Sequence, residues 1–467
     1  MGVPKLWDIL QTTRTSVSLA ETVVNSRYDS VNTSPSRSYT VGVDASIWFN
    51  QLVTRFQLCH AQRGENPELW AILFRLSRFA KVPGLTLWIV FDGPGRLRFK
   101  RGKKVVATPH WLTKGVEELV TAFGFHHHMA PGEAEAELAE LNCRGYIDAI
   151  LTEDGDALVF GALQVLRSNP HSHTPHDGFL AYTSEAIQHS PLYPLSQGGL
   201  LLVAVLAGGD YDKTGLAKCG PRIAQKLAQY GLGDILYTAA TTLSREGLIA
   251  YLPGWRDMLR FTLLSDPLGK LGQTYTSIAS NIKDTFPNPD VIRAYALPLT
   301  SFRSSSLSTV LPSSAPQPID IAALTRLCER WFTWGSPTGI IQQFRDKVWP
   351  AVFARNLSEE VLRNEARRAG RPVSNHTGYT LHGNFTIKHY TLTSTFTVAL
   401  GLSAYQVDYE TSDLEAIVRS SVLGLRVDEG QAQLSATRTK CWVPALVLEE
   451  AFPALTHDFC SGRGLCH

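Results

Sequence analysis

Three stretches of this sequence are apolar and β-branched and end on an acidic residue: Tyr39 to Asp44, Leu85 to Asp92, and Ile147 to Asp154, with helix-like stretches between them. That alternation predicts an α/β fold, a mainly parallel central sheet flanked by helices, whose ligands gather at the carboxyl ends of the strands. The three acids would then share one rim. At 467 residues the chain is longer than one hydrophobic core usually organises, so a unit of roughly 300 residues plus something smaller is expected. A hydrophobic fraction of 44%, with 18% charged residues and ten tryptophans, supplies an ample core.

The polar stretch from Asn32 to Ser38 reads as a surface loop, and the Ser/Pro-rich stretch 301–318 as a linker closing a first unit, 1–300. Beyond it, 319–371 has helical periodicity with Trp331, Trp334 and Trp349. In 372–467, Tyr379 to Leu381, Phe385 to Leu392 and Ser394 to Val398 read as short strands and Val443 to Phe452 as a closing helix, together a small β-rich module. No repeat of fixed period is found. The longest apolar run, Leu200 to Ala207, is far short of the roughly 20 residues of a membrane helix, and the N-terminus lacks a signal pattern, so a soluble protein without a membrane role is expected. Seven scattered cysteines, never spaced C-x-x-C, predict neither a zinc ribbon nor a disulfide framework and suit a reducing, intracellular compartment. A net charge of +2 is by itself a weak argument for a nucleic-acid partner, so the distribution of charge must decide.

Seven carboxylates stand at predicted element ends: Asp44 in YTVGVD, Asp92 in LWIVFD, Glu133 and Glu135 in APGEAEAELAEL, Asp154 and Asp156 in LTEDGDALVFG, and Asp210 in LAGGDYD. Any one alone reads most simply as a helix cap or a solvated charge. Forced together at a sheet rim they repel unless cations neutralise them, and hard oxygen ligands suit Mg²⁺ or Mn²⁺. Two such ions, about 3.5 to 4 Å apart, can activate water, hold a scissile phosphate and stabilise the leaving oxygen of an in-line displacement. Residues two apart do not share a helix face. Glu133 and Glu135 can therefore both reach the site only if Glu133 caps a helix that Pro131-Gly132 introduces and Glu135 lies in its first turn.

Six basic residues, Arg96, Arg98, Lys100, Arg101, Lys103 and Lys104, crowd one short run without an acid. Alone this is a solvated loop; beside an acidic site it suits capture of phosphate. His126, His127 and His128 invite a zinc reading, but consecutive strand residues alternate faces and chelate one ion poorly. Trp7, Trp48 and Trp70 read as core residues.

In order along the chain, MGVPKLW, VGVDAS, VFDG, GEAEAELA, TEDGDALVFG and AGGDYD resemble the blocks of flap-endonuclease (XPG-type) nucleases, over roughly residues 1 to 260. The resemblance implies a PIN-like nuclease core and a two-metal site of Asp44, Asp92, Glu133, Glu135, Asp154, Asp156 and Asp210, using Mg²⁺ with Mn²⁺ able to substitute. It implies that Gly2 packs beside the active site and DNA, so that a tag fused there impairs activity, and that Arg98 approaches the scissile phosphate. Residues 208–230 resemble the family's helix-hairpin-helix element. There Gly215, Gly220, Arg222 and Lys226 would hold duplex phosphate, with a monovalent cation such as K⁺. Lys218 stands where the first glycine of the hairpin is expected, so either the hairpin geometry is altered or Lys218 contacts the DNA backbone itself.

Asp92 and Glu133 are 41 positions apart (133 − 92), short for the closed helical arch under which flap endonucleases pass a 5′ end. That spacing, with Phe286-Pro-Asn-Pro-Asp and a C-terminal β-rich module, resembles the GEN-type Holliday junction resolvases with their chromodomain. This branch implies paired symmetric nicks in four-way junctions, cutting of 5′ flaps, a monomer that dimerises on the junction, and nuclear residence. A flap endonuclease or 5′ exonuclease acting on free ends is the rival enzyme; a DNA- or chromatin-binding protein on an inactive nuclease scaffold is the non-enzyme alternative, and a missing carboxylate would favour it.

Overall fold

The computed structural model describes residues 2–28, 38–56, 66–97, 99–100, 103–104, 108–172, 178–303, 317–372, 385–392, 402–428 and 437–462. A seven-stranded sheet runs in the spatial order Thr15–Ser18, Gly178–Thr183, Gln164–Ser168, Ala149–Leu151, Tyr39–Asp44, Leu85–Phe91 and His126–Met129. The last five strands in this order pair in parallel, and only the first two add antiparallel partners at one edge. Every residue of Leu85–Phe91 is buried, as expected of a strand covered by helices on both faces.

Alternation along that strand divides the core. Leu85, Leu87, Ile89 and Phe91 join one hydrophobic cluster, and Trp88 and Val90 join the other. Register sets the rim: Asp44 lies opposite Val90, and Val43 lies opposite Leu151. Asp92 and Asp154 follow within a few residues, so the carboxyl ends of three neighbouring strands bring their acids level.

Helices Ile321–Trp331, Pro337–Lys347 and Trp349–Arg368 fill the predicted helical segment. The linker at 301–318 divides the sequence but not the core. Trp349, Phe353 and Leu357 belong to the same cluster as Leu73, Leu76 and Ile89 of the nuclease unit. Arg355 donates from Nη1 to Leu85 O (2.9 Å), and Ser358 Oγ accepts from Gly84 N (3.0 Å).

The C-terminal module is a three-stranded antiparallel sheet, Phe385–Thr391, Ala404–Glu410 and Arg438–Pro444. The first matches the predicted strand at Phe385 to Leu392. The predicted closing helix begins later than expected, at Ala445, because Val443 pairs with Tyr405 and Pro444 with Ala404 as the last residues of a strand. The predicted strands at Tyr379 to Leu381 and Ser394 to Val398 lie outside the described residues, as do 304–316 of the linker and 32–37 of the polar loop. Among the described residues no helix is long and apolar enough to cross a membrane.

Candidate active site

All seven predicted carboxylates meet at the rim. Asp44 ends its strand, with Oδ1 accepting from Ser46 N (2.8 Å). Asp92 follows the neighbouring strand, and its Oδ1 accepts from Ala134 N (3.0 Å), the first amide of helix Ala134–Cys143. Glu133 is the N-cap of that helix, in extended conformation, and Glu135 lies in its first turn. The cap is what lets two residues of incompatible helical spacing face one site. Asp156 opens the short helix Asp156–Val159, and its amide donates to Asp154 Oδ1 (3.0 Å). Asp210 follows helix Gln197–Ala207 after Gly208, whose φ of 83° turns the chain back to the rim. Six of the seven are buried, and Asp92 is half-buried.

Burial and mutual repulsion raise the proton affinity of this cluster. Burial, then Asp92, pushes the Asp44 carboxyl up to about 7. Burial lifts Asp156 well above the usual range, with Asp154 and Asp210 adding to it, and lifts Glu135 likewise, Lys100 opposing and Asp44, Asp154 and Glu133 adding. Glu133 and Asp154 are raised for the same first reason. Each of these five acids thus feels at least one other.

Two buried oxygens, Asp44 Oδ2 and Glu133 Oε1, meet no hydrogen-bond donor among the described residues. Unmet, buried, hard oxygen atoms within a repelling cluster are what divalent cations satisfy, so the residues fit Mg²⁺ or Mn²⁺. No three His, Cys, Asp or Glu side chains among the described residues already close on one point as a finished coordination sphere. The protein's own cations neutralise part of the cluster. Lys100 Nζ lies 3.1 Å from Glu133 Oε2 and 3.4 Å from Asp210 Oδ2, and Arg96 Nη1 lies 2.8 Å from Asp92 Oδ2. Burial, which pulls a lysine's proton affinity down, is outweighed at Lys100 by Glu135, Glu133 and Asp210.

The basic run therefore reaches the rim at Arg96 and Lys100. Arg98 and Arg101 lie outside the described residues; Lys103 and Lys104 form a two-residue strand paired with Phe99–Lys100. Gly2 sits where predicted. Its φ is 74°, Val3 N donates to Asp156 Oδ1 (2.8 Å), and a Cβ at Gly2 would run into Oδ1 of both Asp154 and Asp156. In the helix-hairpin-helix segment, Lys218 adopts a φ of 66°, so the turn keeps the left-handed geometry of the glycine it replaces and leaves the lysine exposed. Gly215 also has positive φ, Gly220 caps helix Pro221–Ala228, and Arg222 is exposed. Lys226 is half-buried and donates one hydrogen bond to Leu271 O (2.9 Å).

Two residues escaped the sequence reading. Tyr211 Oη donates to Glu133 Oε2 (2.8 Å), and Tyr295 Oη reaches Asp156 Oδ2 (3.5 Å), while the two rings pack 4.6 Å apart. Tyr211 follows Asp210 directly and carried a signal; Tyr295 arrives from helix Pro289–Ala296 and carried none. His126, His127 and His128 lie in a strand on alternating faces, and the buried His128 Nε2 contacts Glu137 Oε1 (3.1 Å). Trp48 is a core residue, and Trp7 packs on Tyr182 with its Nε1 donating to Glu153 O (3.0 Å).

Residues 124–210, which carry four of the seven acids and end on a fifth beyond them, match the family model of the XPG I-region. Over 254 residues the chain is 26% identical to the flap endonuclease GEN homolog 1 of Mus musculus, covering 50% of this chain and 26% of that protein. Over 150 residues it is 33% identical to the flap endonuclease GEN-like 1 of Arabidopsis thaliana, covering 31% of this chain and 23% of that one. The chain thus spans about a quarter of the length of these curated relatives. The crystal structure of the Holliday junction-resolving enzyme GEN1 in complex with product DNA and Mg²⁺ superposes over 98% of this chain and 99% of that one, with a TM-score of 0.70 at 24% identity, which establishes a shared fold. With its acidic motifs in order, its I-region match and these relatives, the chain is similar to the nucleases of the XPG/flap endonuclease superfamily.

Proposed function

We propose that this chain is a divalent-metal-dependent, structure-selective DNA endonuclease that resolves four-way junctions by paired nicks and also cuts 5′ flaps. The observation that carries the reading is the cluster of seven linked carboxylates with two buried, unmet oxygens, Asp44 Oδ2 and Glu133 Oε1. Two Mg²⁺ ions, for which Mn²⁺ could substitute, would there supply charge neutralisation and Lewis acidity toward a phosphodiester. Asp44, Asp92, Glu133, Glu135, Asp154, Asp156 and Asp210 would hold them; Tyr211 fixes the Glu133 rotamer. Lys100, which bridges Glu133 and Asp210, would be placed to carry its ammonium to a phosphate at the same rim.

Junctions are favoured over flaps by the segment between Asp92 and Glu133. Among the described residues of that segment, helix Thr113–Ala122 buries Val116, Leu119 and Val120 in the core, which suits entry of strands without a free end. The likeness to a junction-resolving enzyme solved with product DNA points the same way. Lys218 and Arg222 would hold duplex backbone, with K⁺ at the hairpin. We further propose that two copies assemble on one junction, that the C-terminal sheet acts as a chromodomain-like DNA contact, and that the protein works in the nucleus. Tyr405 of that sheet is a core residue bonded to Glu449, which disfavours an open aromatic cage there. The rival reading, an enzyme confined to free 5′ ends, draws on the flap-endonuclease names of the relatives.

End-labelled immobile four-way junctions and 5′ flaps, incubated with the full chain in Mg²⁺, test the proposal. Symmetric nicks in opposing strands of the junction are expected; cutting confined to flaps would establish the rival.

A further inference from the structure

The segment 299–303, where the sequence suggests the start of a linker, lies packed along helix Ala134–Cys143, whose N-terminal end carries Glu133 and Glu135. A Cβ on Gly132 would meet Leu299 O at 2.7 Å. Ser301 N donates to Glu137 Oε2 (2.8 Å), and Arg303 Nη2 pairs with Glu140 Oε2 (3.6 Å). Phe302 stacks on Tyr146, with the Arg144 guanidinium 4.3 Å from its ring centroid. The helix is thus strapped from its first turn to its last. His128 of the edge strand closes the same knot: its Nε2 donates to Glu137 Oε1 (3.1 Å) and lies 3.3 Å from Ser301 Oγ.

A carboxylate is an unfavourable choice for the fully buried position of Glu137. An apolar side chain of similar volume would pack there without desolvating a charge, and what a satisfied buried network supplies instead is one fixed orientation. Orientation is what this helix needs. The amide of Glu137 donates to Glu133 O (3.1 Å), which ties the knot through the backbone to an acid of the rim. Carboxylates stand about 6 Å from a helix axis, so a rotation of about 10° carries them about 1 Å. Mg²⁺ demands near-ideal octahedral geometry, and functional constellations work within about 0.5 Å. Another hold on this end of the helix, Asp92 Oδ1 on Ala134 N, comes from an acid that would itself take an ion. The knot at Glu137 is built from groups outside the seven acids, so it stays in place as the ions enter.

We propose that Glu137, His128 and Ser301 are positioning residues that fix the rotation of helix Ala134–Cys143 about its axis and so hold Glu133 and Glu135 in register with the two divalent ions. The inference rests on the metal-dependent nuclease reading of the rim and extends it beyond the acids themselves. His128 serves the metal site without ligating it. Fixing the helix acts on affinity for the ions rather than on affinity for DNA, and the strap makes that affinity depend on the segment by which the chain leaves its first unit.

The test measures metal affinity of the full chain by two routes: Mn²⁺ binding to the DNA-free protein, followed by electron paramagnetic resonance, and the Mg²⁺ concentration that gives half-maximal junction cleavage. Glu137→Leu, which fills the space without the carboxylate, should weaken both about tenfold, the scale for removing a group that orients a metal ligand. Junction binding at saturating Ca²⁺ should be unchanged, and Glu137→Gln, which can keep both bonds, should restore metal affinity. Thermal melting identifies the folded variants; should Glu137→Leu not fold, His128→Phe takes its place under the same outcomes. A folded variant with wild-type metal affinity overturns the positioning role and leaves the nuclease reading standing. A wild type that binds Mn²⁺ but cuts neither junctions nor 5′ flaps overturns the nuclease reading, and Mn²⁺ affinity alone then decides the positioning role. A wild type that binds no Mn²⁺ overturns both.

Discussion

Buried acids occur in both halves of this molecule and are treated in opposite ways. In the C-terminal half Glu329 is fully buried, yet its two oxygens accept from Leu423 N and Leu425 N; Glu415 takes Arg345 (2.8 Å), and Asp408 takes Arg438 (2.8 Å). At the rim of the nuclease half, Asp44 and Glu133 are also buried, but each leaves an oxygen without a donor among the described residues. Burial therefore does not distinguish a functional acid from a structural one. An unmet lone pair alone does not distinguish them either, since Glu365 Oε2 in the C-terminal half also lacks a donor among the described residues; what marks the rim is that its unmet oxygens belong to acids crowded against one another. Glu137 shows that the rule is local rather than regional: one helical turn from Glu133, it is fully satisfied by His128 and Ser301.

The contrast is broken most severely by removing acids from each set. Asp44→Asn with Asp154→Asn should slow junction cleavage by about a thousandfold or more, because several kcal/mol of charge stabilisation at the phosphate is lost. It should leave the melting temperature of the metal-free protein unchanged or higher, since like-charge repulsion falls. Glu329→Ala should do the reverse. Two part-buried amide hydrogen bonds are lost, at a cost of about 2 kcal/mol in denaturant unfolding, while cleavage below the melting range stays within about twofold of wild type. If Asp44→Asn destabilised the protein as much as Glu329→Ala, the two sets would not differ in kind. A smaller effect is expected of Tyr211→Phe, which deletes one hydrogen bond to Glu133: cleavage slowed roughly five- to tenfold with folding unaffected.

Proton linkage sharpens the same comparison. The folded Asp44 carboxyl titrates near 7, above its ordinary 3.8, so between those values the folded state holds a proton that the unfolded chain has released. The metal-free protein thus loses stability from this group as pH rises from about 4 to about 7, and Mg²⁺ replaces the departing proton. The rise in melting temperature on adding Mg²⁺ should grow through that window and then level off. At Glu137 the sign is opposite. Burial is outweighed there by the bonds from His128 and Ser301, which hold its carboxyl below the ordinary range, so its contribution is present above that range and is lost on acidification, with or without Mg²⁺.

The rim was legible in the sequence because strands buried on both faces are continuous apolar runs, and an acid at the end of such a run has one place to go. Tyr39–Asp44 and Leu85–Phe91 formed as predicted, and Pro131-Gly132 correctly placed Glu133 as a cap. The C-terminal sheet was harder. Strand Ala404–Glu410 has Tyr405, Val407 and Tyr409 buried at period two, but intervening Gln406 and Asp408 and a long excursion to Arg438 hid its partner. Tyr295 and the shared core across the linker depend on tertiary packing between segments distant in sequence, which local pattern does not encode. The bond from Lys226 to Leu271 O likewise joins segments distant in sequence.

Binding of Mn²⁺ to the DNA-free protein, followed by electron paramagnetic resonance, tests the central claim most directly. Two ions per wild-type chain, reduced to one or none in the Asp44→Asn, Asp154→Asn variant while Glu329→Ala retains both, is the predicted result; a wild type that binds no Mn²⁺, or a double variant that binds as much as wild type, would contradict it.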